Sequence, residues 1–234
     1  MIRQSTPQNL PLRGVFCFIL VNRGLSHPGQ EKGSTSASHL ESQYIYPMHE
    51  RVMASLRKTG RFPDDVLAPF FDILKAKEYA KGENLLVPGE KCQMWFFIDQ
   101  GSVRQFTEEE DGTERTVHLF LEDDWVFDAQ SFTAQKPARG YLQALETTRG
   151  WQFSIHDIHD LIKTNPVFFQ LGTLLELGVK QAEYHRSQNT PEAKYRALMA
   201  EKPQWVHRFP LKYIASYLGI TPETLSRVRR KLMD

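Results

Sequence analysis

Cysteine is nearly missing from this 234-residue chain. Cys17 and Cys92 are the two present, far apart and in unrelated contexts. That excludes a disulfide framework and a cysteine metal site, and it fits reducing, cytoplasmic surroundings. Long apolar runs are missing too. The longest, Val15–Val21 (VFCFILV), is far short of a membrane span. Arg3 and Arg13 precede it as in a signal peptide, but no small-x-small cleavage site follows promptly, so neither export nor a membrane partner is expected. No Ser/His/Asp or paired-carboxylate arrangement stands out, which argues against an enzyme. His156 and His159 (HDIHD) sit on one helical face, yet no third ligand clusters with them, so a solvated face is expected rather than a metal. Hydrophobic residues at 41% and charged residues at 24% are those of a soluble globular protein.

Net charge is also scarce, at +1, but its distribution is uneven. From Thr190 onward nine Lys/Arg face four Asp/Glu, an excess of five, so the rest of the chain carries −4. A basic end on an acidic body is the footprint of a protein that meets phosphates at one end. That end contains Leu211–Asp234 (LKYIASYLGITPETLSRVRRKLMD), which reads as two short helices joined by a tight turn. Ala215 is small where helices cross, and Gly219 suits a turn needing φ > 0. Ile214, Leu218, Ile220, Leu225 and Val228 share an inner face. Thr221-Pro222-Glu223 supplies a hydroxyl cap, a proline at the first helical position and an acid beside the positive helix end. The pattern is a helix-turn-helix with Arg227, Arg229, Arg230 and Lys231 on its free face. The alternative is an ordinary αα-hairpin inside a core.

Upstream, residues 1–47 differ in texture. Gly24–Ser42 is rich in Gly, Ser, Thr and Gln and is expected to be disordered. Met48 opens a helix-like stretch, and the functional protein is expected to start there. Residues 63–74 read as a short helix. Strands are expected at Lys77–Ala80, Asn84–Val87, Met94–Asp99, Ser102–Thr107, Glu114–Leu121 and Tyr141–Thr148, punctuated by glycine turns. Asp111-Gly112 is a hairpin turn. Such spacing argues an antiparallel barrel or roll. A short helix at Ile155–Lys163 follows, then a long one from Asn165-Pro166 to about Arg186. In it Phe168, Leu171, Leu175, Gly178, Ala182 and His185 recur at heptad spacing. The seam suits pairing with a second copy, or packing on the chain's own roll. Thr190-Pro191-Glu192 caps another helix, through Ala200.

Four segments give the chain a likeness to a known family: Lys81–Leu85 with Pro88-Gly89-Glu90, Met94–Val103 (MWFFIDQGSV), Glu122–Trp125 (EDDW) and, most specific, IASYLGITPETLSRVRRKL. So arranged, Met48–Asp234 resembles the Crp–Fnr bacterial transcription regulators. The resemblance implies an α+β chain: an antiparallel, jelly-roll-like β-roll sensor at 48–164, a dimerisation helix at 165–189, and a winged-helix-like helix-turn-helix at 190–234 whose wing is truncated at Asp234. It implies double-stranded DNA and a second copy as partners, with RNA polymerase a further candidate.

The same resemblance identifies the site residues. Members that bind cyclic AMP hold its phosphate and ribose with a Gly-Glu step and an Arg-Ser step. Here these fall on Phe127-Asp128 and Ala138-Arg139, leaving Asp128 and Arg139 as the candidate ligand residues. Phe127 obstructs the backbone approach to an anion, and Arg139 is one residue out of step. Cyclic-AMP binding is therefore not expected, with a cyclic-nucleotide sensor or other ligand-binding or protein-interaction module as the alternative. Two isolated cysteines do not supply the iron–sulfur cluster of oxygen-sensing members, and no cofactor is expected. On the DNA side, base reading falls on Pro222, Glu223 and Arg227. Glu223 suits a cytosine amino group or helix-dipole compensation, and Arg227 suits a guanine or a phosphate. Thr221, Thr224 and Ser226 suit phosphates, Arg229, Arg230 and Lys231 the backbone, and Lys212 and Tyr213 the backbone-crossing first helix.

Overall fold

A computed structural model describes residues 49–173 and 188–233. They belong to one unit of the chain, 46–234. The N-terminal extension 1–47 and most of the expected dimerisation helix, including Leu175, Gly178, Ala182 and His185, lie outside the described residues.

Eight strands form two open four-stranded antiparallel sheets, a roll and not a closed barrel. They are β1 (Lys75–Tyr79), β2 (Asn84–Leu86), β3 (Met94–Gln100), β4 (Val103–Glu108), β5 (Glu114–Phe120), β6 (Trp125–Val126), β7 (Tyr141–Ala144) and β8 (Thr148–Ser154). One sheet runs β1-β8-β3-β6, the other β2-β7-β4-β5. The expected strand positions for β1 to β5 overlap these. The final pair differs. Sequence periodicity reads 141–148 as one strand, whereas the chain turns after Ala144 and begins β8 at Thr148. β8 is the strand that joins β1 to β3. Gly150 hides it, since glycine in a strand interior reads as a break. The structure needs that glycine: an added Cβ would lie 1.9 Å from the carbonyl oxygen of Phe97.

Trp95, Phe96, Phe97 and Ile98 on β3 are all essentially buried, because neither face of that strand meets water. The core there is aromatic. Phe70, Trp95, Trp125 and Phe153 make edge-on and tilted contacts, with centroids 5.4–6.5 Å apart among the recorded pairs. Two N-terminal helices close it: α1 over residues 49–56, and α2, Asp64–Asp72. Val52 and Leu56 enter the core, and Ser55 Oγ accepts the Trp125 Nε1–H bond at 2.9 Å. Arg51 fastens α1 from outside, donating to Asp99 Oδ1 at 2.6 Å and Asp123 Oδ1 at 2.7 Å. Asp123 takes φ 70° in the EDDW turn, a left-handed position that ordinarily favours glycine.

Asp128 precedes the short α3 (Ala129–Ala134), and a Ser154–Asp157 capping box opens α4 (Ile155–Thr164). A 3₁₀ helix, Pro166–Leu171, follows. Here the long heptad helix needs correcting at its start. Phe168 and Leu171 are buried in the chain's own roll core, at 1% and 2% exposure. Those two seam positions therefore serve the roll, the second of the two options that spacing left open.

The C-terminal module holds α5 (Pro191–Glu201), α6 (Trp205–Arg208), α7 (Leu211–Leu218) and α8 (Pro222–Met233). Four residues long, α6 leaves no periodic signal in the sequence. The inner seam of the last two helices forms as spacing predicts: Ile214, Ala215, Leu218 and Leu225 are fully buried, Val228 nearly so, and Ile220 packs against them.

Gly150→Ala is expected to lower stability by about 1–3 kcal/mol through overpacking between β3 and β8. Thermal unfolding of the variant beside the parent measures it.

Candidate nucleic-acid interface

The turn between α7 and α8 is built by Gly219, at φ 65°. Its amide and that of Ile220 bond back to Ser216 and Ala215 carbonyls at 3.1 and 3.0 Å. Lys194 Nζ caps the Leu218 carbonyl at 2.9 Å, a cation where the helix dipole favours one. Thr221 then opens α8, its Oγ1 accepting from the Thr224 amide at 3.2 Å.

Along the first turns of α8, Thr221, Pro222, Glu223, Ser226 and Arg227 are exposed, and Thr224 is half-buried. Arg227 Nη2 donates to Thr224 Oγ1 at 3.3 Å, which lays the guanidinium along the helix face. Glu223 is held below the usual carboxylate range, first by its own backbone amide and then by the Thr221 hydroxyl, with Arg227 adding to both. It stays ionised beside the positive helix end, the arrangement expected for dipole compensation. Farther along, Arg230 and Lys231 are exposed and Arg229 is half-buried. Lys231 pairs with Glu192 at 2.7 Å, and that bond outweighs other effects in lowering the Glu192 carboxyl. Between α8 and the start of α5 runs a groove of about 390 Å³, lined by Thr190, Pro191, Glu192, Thr224, Arg227, Val228 and Lys231. The structure thus brings Thr221, Pro222, Glu223, Ser226 and Arg227, with Thr224 half-buried among them, onto one helix end.

The first helix behaves differently. Lys212 is exposed, but Tyr213 is half-buried, its ring 4.1 Å from the guanidinium of Arg104 on β4. Arg104 is 2% exposed and lies between Tyr213 and Phe106, donating to Thr116 Oγ1 and pairing with Glu114. Leu119 and Leu121, on or just after β5, belong to the same buried cluster as Trp205, Phe209 and Tyr217. The Thr116 amide donates to Ser216 Oγ at 2.8 Å. Arg208 bridges Glu122 and Glu146, and Lys202 lies 3.6 Å from Asp124. Burial pushes the Asp124 carboxyl up, against the pull of Lys202. Burial works the same way on Glu122, but there Arg208 and neighbouring amides win and hold the carboxyl down.

Sequence reasoning missed this junction. One signal was present: Val117–Leu121 (VHLFL) is an almost unbroken apolar run on an antiparallel strand. Such a strand normally alternates, and a run means that both faces are covered.

The two candidate ligand residues have different settings. Asp128 Oδ1 accepts from the Ser131 amide at 2.7 Å as the N-cap of α3, and Oδ2 accepts from Gln105 at 3.0 Å. Arg139 is exposed, and neither of these partners is Arg139. Phe127 turns inward and stacks on Trp95 with centroids 4.8 Å apart, beside Phe132. Cys92 is fully buried, and burial raises its thiol. His156 and His159 are exposed, and no group of three metal-binding side chains exists among the described residues. None of their helices is long and apolar enough to cross a membrane.

Comparison with known families places residues 76–165 against the model described as the cyclic nucleotide-binding domain. Solved structures similar to the chain include Crp–Fnr-type transcription regulators. FixK2 from Bradyrhizobium japonicum matches with TM-score 0.61 at 17% identity, over 69% of this chain and 85% of that one. The c-di-GMP-responsive regulator CLP of Xanthomonas campestris matches with TM-score 0.54 at 16% identity, over 73% and 92%. A CooA mutant from Carboxydothermus hydrogenoformans matches with TM-score 0.52 at 20% identity, over 74% and 86%. At these identities the likeness establishes a shared fold. No curated protein sequence matches the chain.

Asp128→Ala is expected to cost about 1–2 kcal/mol of stability through the lost cap. The loss should be the same with and without cyclic AMP, as read by chemical denaturation.

Proposed function

We propose that the protein is a sequence-specific DNA-binding transcription regulator, acting as a homodimer on a pseudo-palindromic site. The observation that carries this reading is the exposed start of α8, where Arg227 and a set of hydroxyls stand clear on a helix whose other face is a closed apolar seam. Helix-turn-helix proteins insert that end of the second helix into the major groove. Arg227 is assigned to guanine O6/N7, and Glu223 combines dipole compensation with a contact to a cytosine amino group. Thr221, Thr224 and Ser226 donate to phosphates. Arg229, Arg230, Lys231 and Lys212 track the backbone and set affinity. Tyr213, stacked on Arg104, is better read as a docking side chain. The domain is further proposed not to respond to cyclic AMP: Asp128 is held by an N-cap and Gln105, Phe127 fills the core, and Arg139 points to solvent.

Arg227→Ala is expected to weaken operator binding by about 1–3 kcal/mol and to relax one base position. Titration of selected and random duplexes checks this, and equal binding of both by parent and variant would sink the base-reading role. The parent should leave random DNA steeply as salt rises. A shallow slope would favour instead a protein-interaction module with a vestigial helix-turn-helix. In a thermal-shift titration, cyclic AMP and cyclic GMP should leave the melting temperature unchanged.

A further inference from the structure

We propose that Arg208 is a positioning residue for DNA reading: its fork, clamped by two roll carboxylates, sets the angle at which the roll presents α8. The proposal rests on the DNA-binding reading above and adds to it how the reading helix is aimed.

Arg208 ends α6. Its Nη1 and Nη2 donate to Glu122 Oε2 and Oε1 at 3.0 Å each, and Nη2 also reaches Glu146 Oε1 at 2.9 Å. Both carboxylates also accept hydrogen bonds from within the roll. The Gly101 amide donates to Glu122 Oε1 at 3.0 Å, and Ser102 Oγ donates to Glu146 Oε1 at 2.7 Å. Gly101 has φ 110°, and a Cβ there would lie 2.6–2.9 Å from Thr147 and Thr148 atoms. Glycine is thus the residue that brings this amide to Glu122.

The apolar part of the junction, Leu119 and Leu121 against Trp205 and Phe209, holds the module down but gives little direction. Hydrophobic burial is non-directional. A bidentate guanidinium–carboxylate pair fixes both planes. Among the directional contacts of the junction, which include the Thr116–Ser216 bond and the Lys202–Asp124 pair, the Arg208 fork is the bidentate one, and the docked posture leaves Glu223, Ser226 and Arg227 exposed. This posture permits reading, so the clamp aims the helix and does not hide it. Two reading helices must meet half-sites roughly 34 Å apart, which makes a small rotation at each junction costly.

The test uses the full chain, with Arg208→Lys as the main variant because it keeps the charge and loses the fork. Arg208→Gln is the second variant. The probes are a duplex selected by the parent from a random pool and an unselected duplex of equal length. Hydrogen exchange at the Thr116 amide, bonded across the junction to Ser216, reports docking without DNA. Arg208→Lys is expected to weaken the selected duplex by about fivefold or more, the usual scale of coupling between parts of a protein. Binding of the unselected duplex should be unchanged and Thr116 exchange faster, with Arg208→Gln showing a larger loss on the selected duplex. Parent-like or tighter binding of the selected duplex by Arg208→Lys overturns the proposal, as does unchanged Thr116 exchange in both variants. A parent that selects no duplex overturns the DNA-binding reading along with this one. A parent that does, matched by its variants, overturns this one alone.

Discussion

The rest of the molecule depends on one strand having both faces covered. Pleating sends alternate residues of β5 and its extension to opposite sides. Phe120 goes into the roll core, while Leu119 and Leu121 go into the core of the helical module. An antiparallel sheet normally leaves one face to water. Here that face is covered by α6 and α7, and the polar groups at its margin had to find partners there. Arg104, Thr116, Glu122 and Asp124 all do so. The buried guanidinium of Arg104 is tolerated because it is stacked on two rings, hydrogen-bonded and paired with a carboxylate.

The same economy of partners explains the roll interior. A ligand site needs walls that leave polar groups unfilled and space open. Here Trp95, Phe127 and Phe132 fill aromatic positions against one another. Asp128 is engaged by the Ser131 amide and by Gln105, so its charge is already matched locally. At the step where the resemblance implied a ligand, Asp128 and Phe127 are both engaged by the protein's own groups.

Much of the fold was legible beforehand. Helix caps are local: Thr190 and Thr221 bond amides three residues away, a relation that sequence spacing expresses directly. Gly219 was legible for the same reason, since a left-handed residue between two apolar runs marks a turn. The two strands that escaped, β6 and β8, depend on remote contacts. β8 carries Gly150 because of Phe97, and β6 is two residues long with no periodicity to read. Phe168 and Leu171 fit a heptad, yet spacing does not say which apolar surface an apolar stripe will meet.

For the candidate site the division is similar. Sequence alone determined which residues lie on the open face of α8, because helical periodicity and the cap fix that face wherever the helix sits. It also placed Phe127 at the position of the Gly-Glu step that the resemblance implied. Tertiary structure decided that Tyr213 packs on Arg104, that Lys231 is paired with Glu192, and that Arg208 meets Glu122 and Glu146. Those partners lie 39 to 109 positions apart in sequence. Their meeting follows from how the helical module seats on β5, a packing outcome that local propensity does not encode.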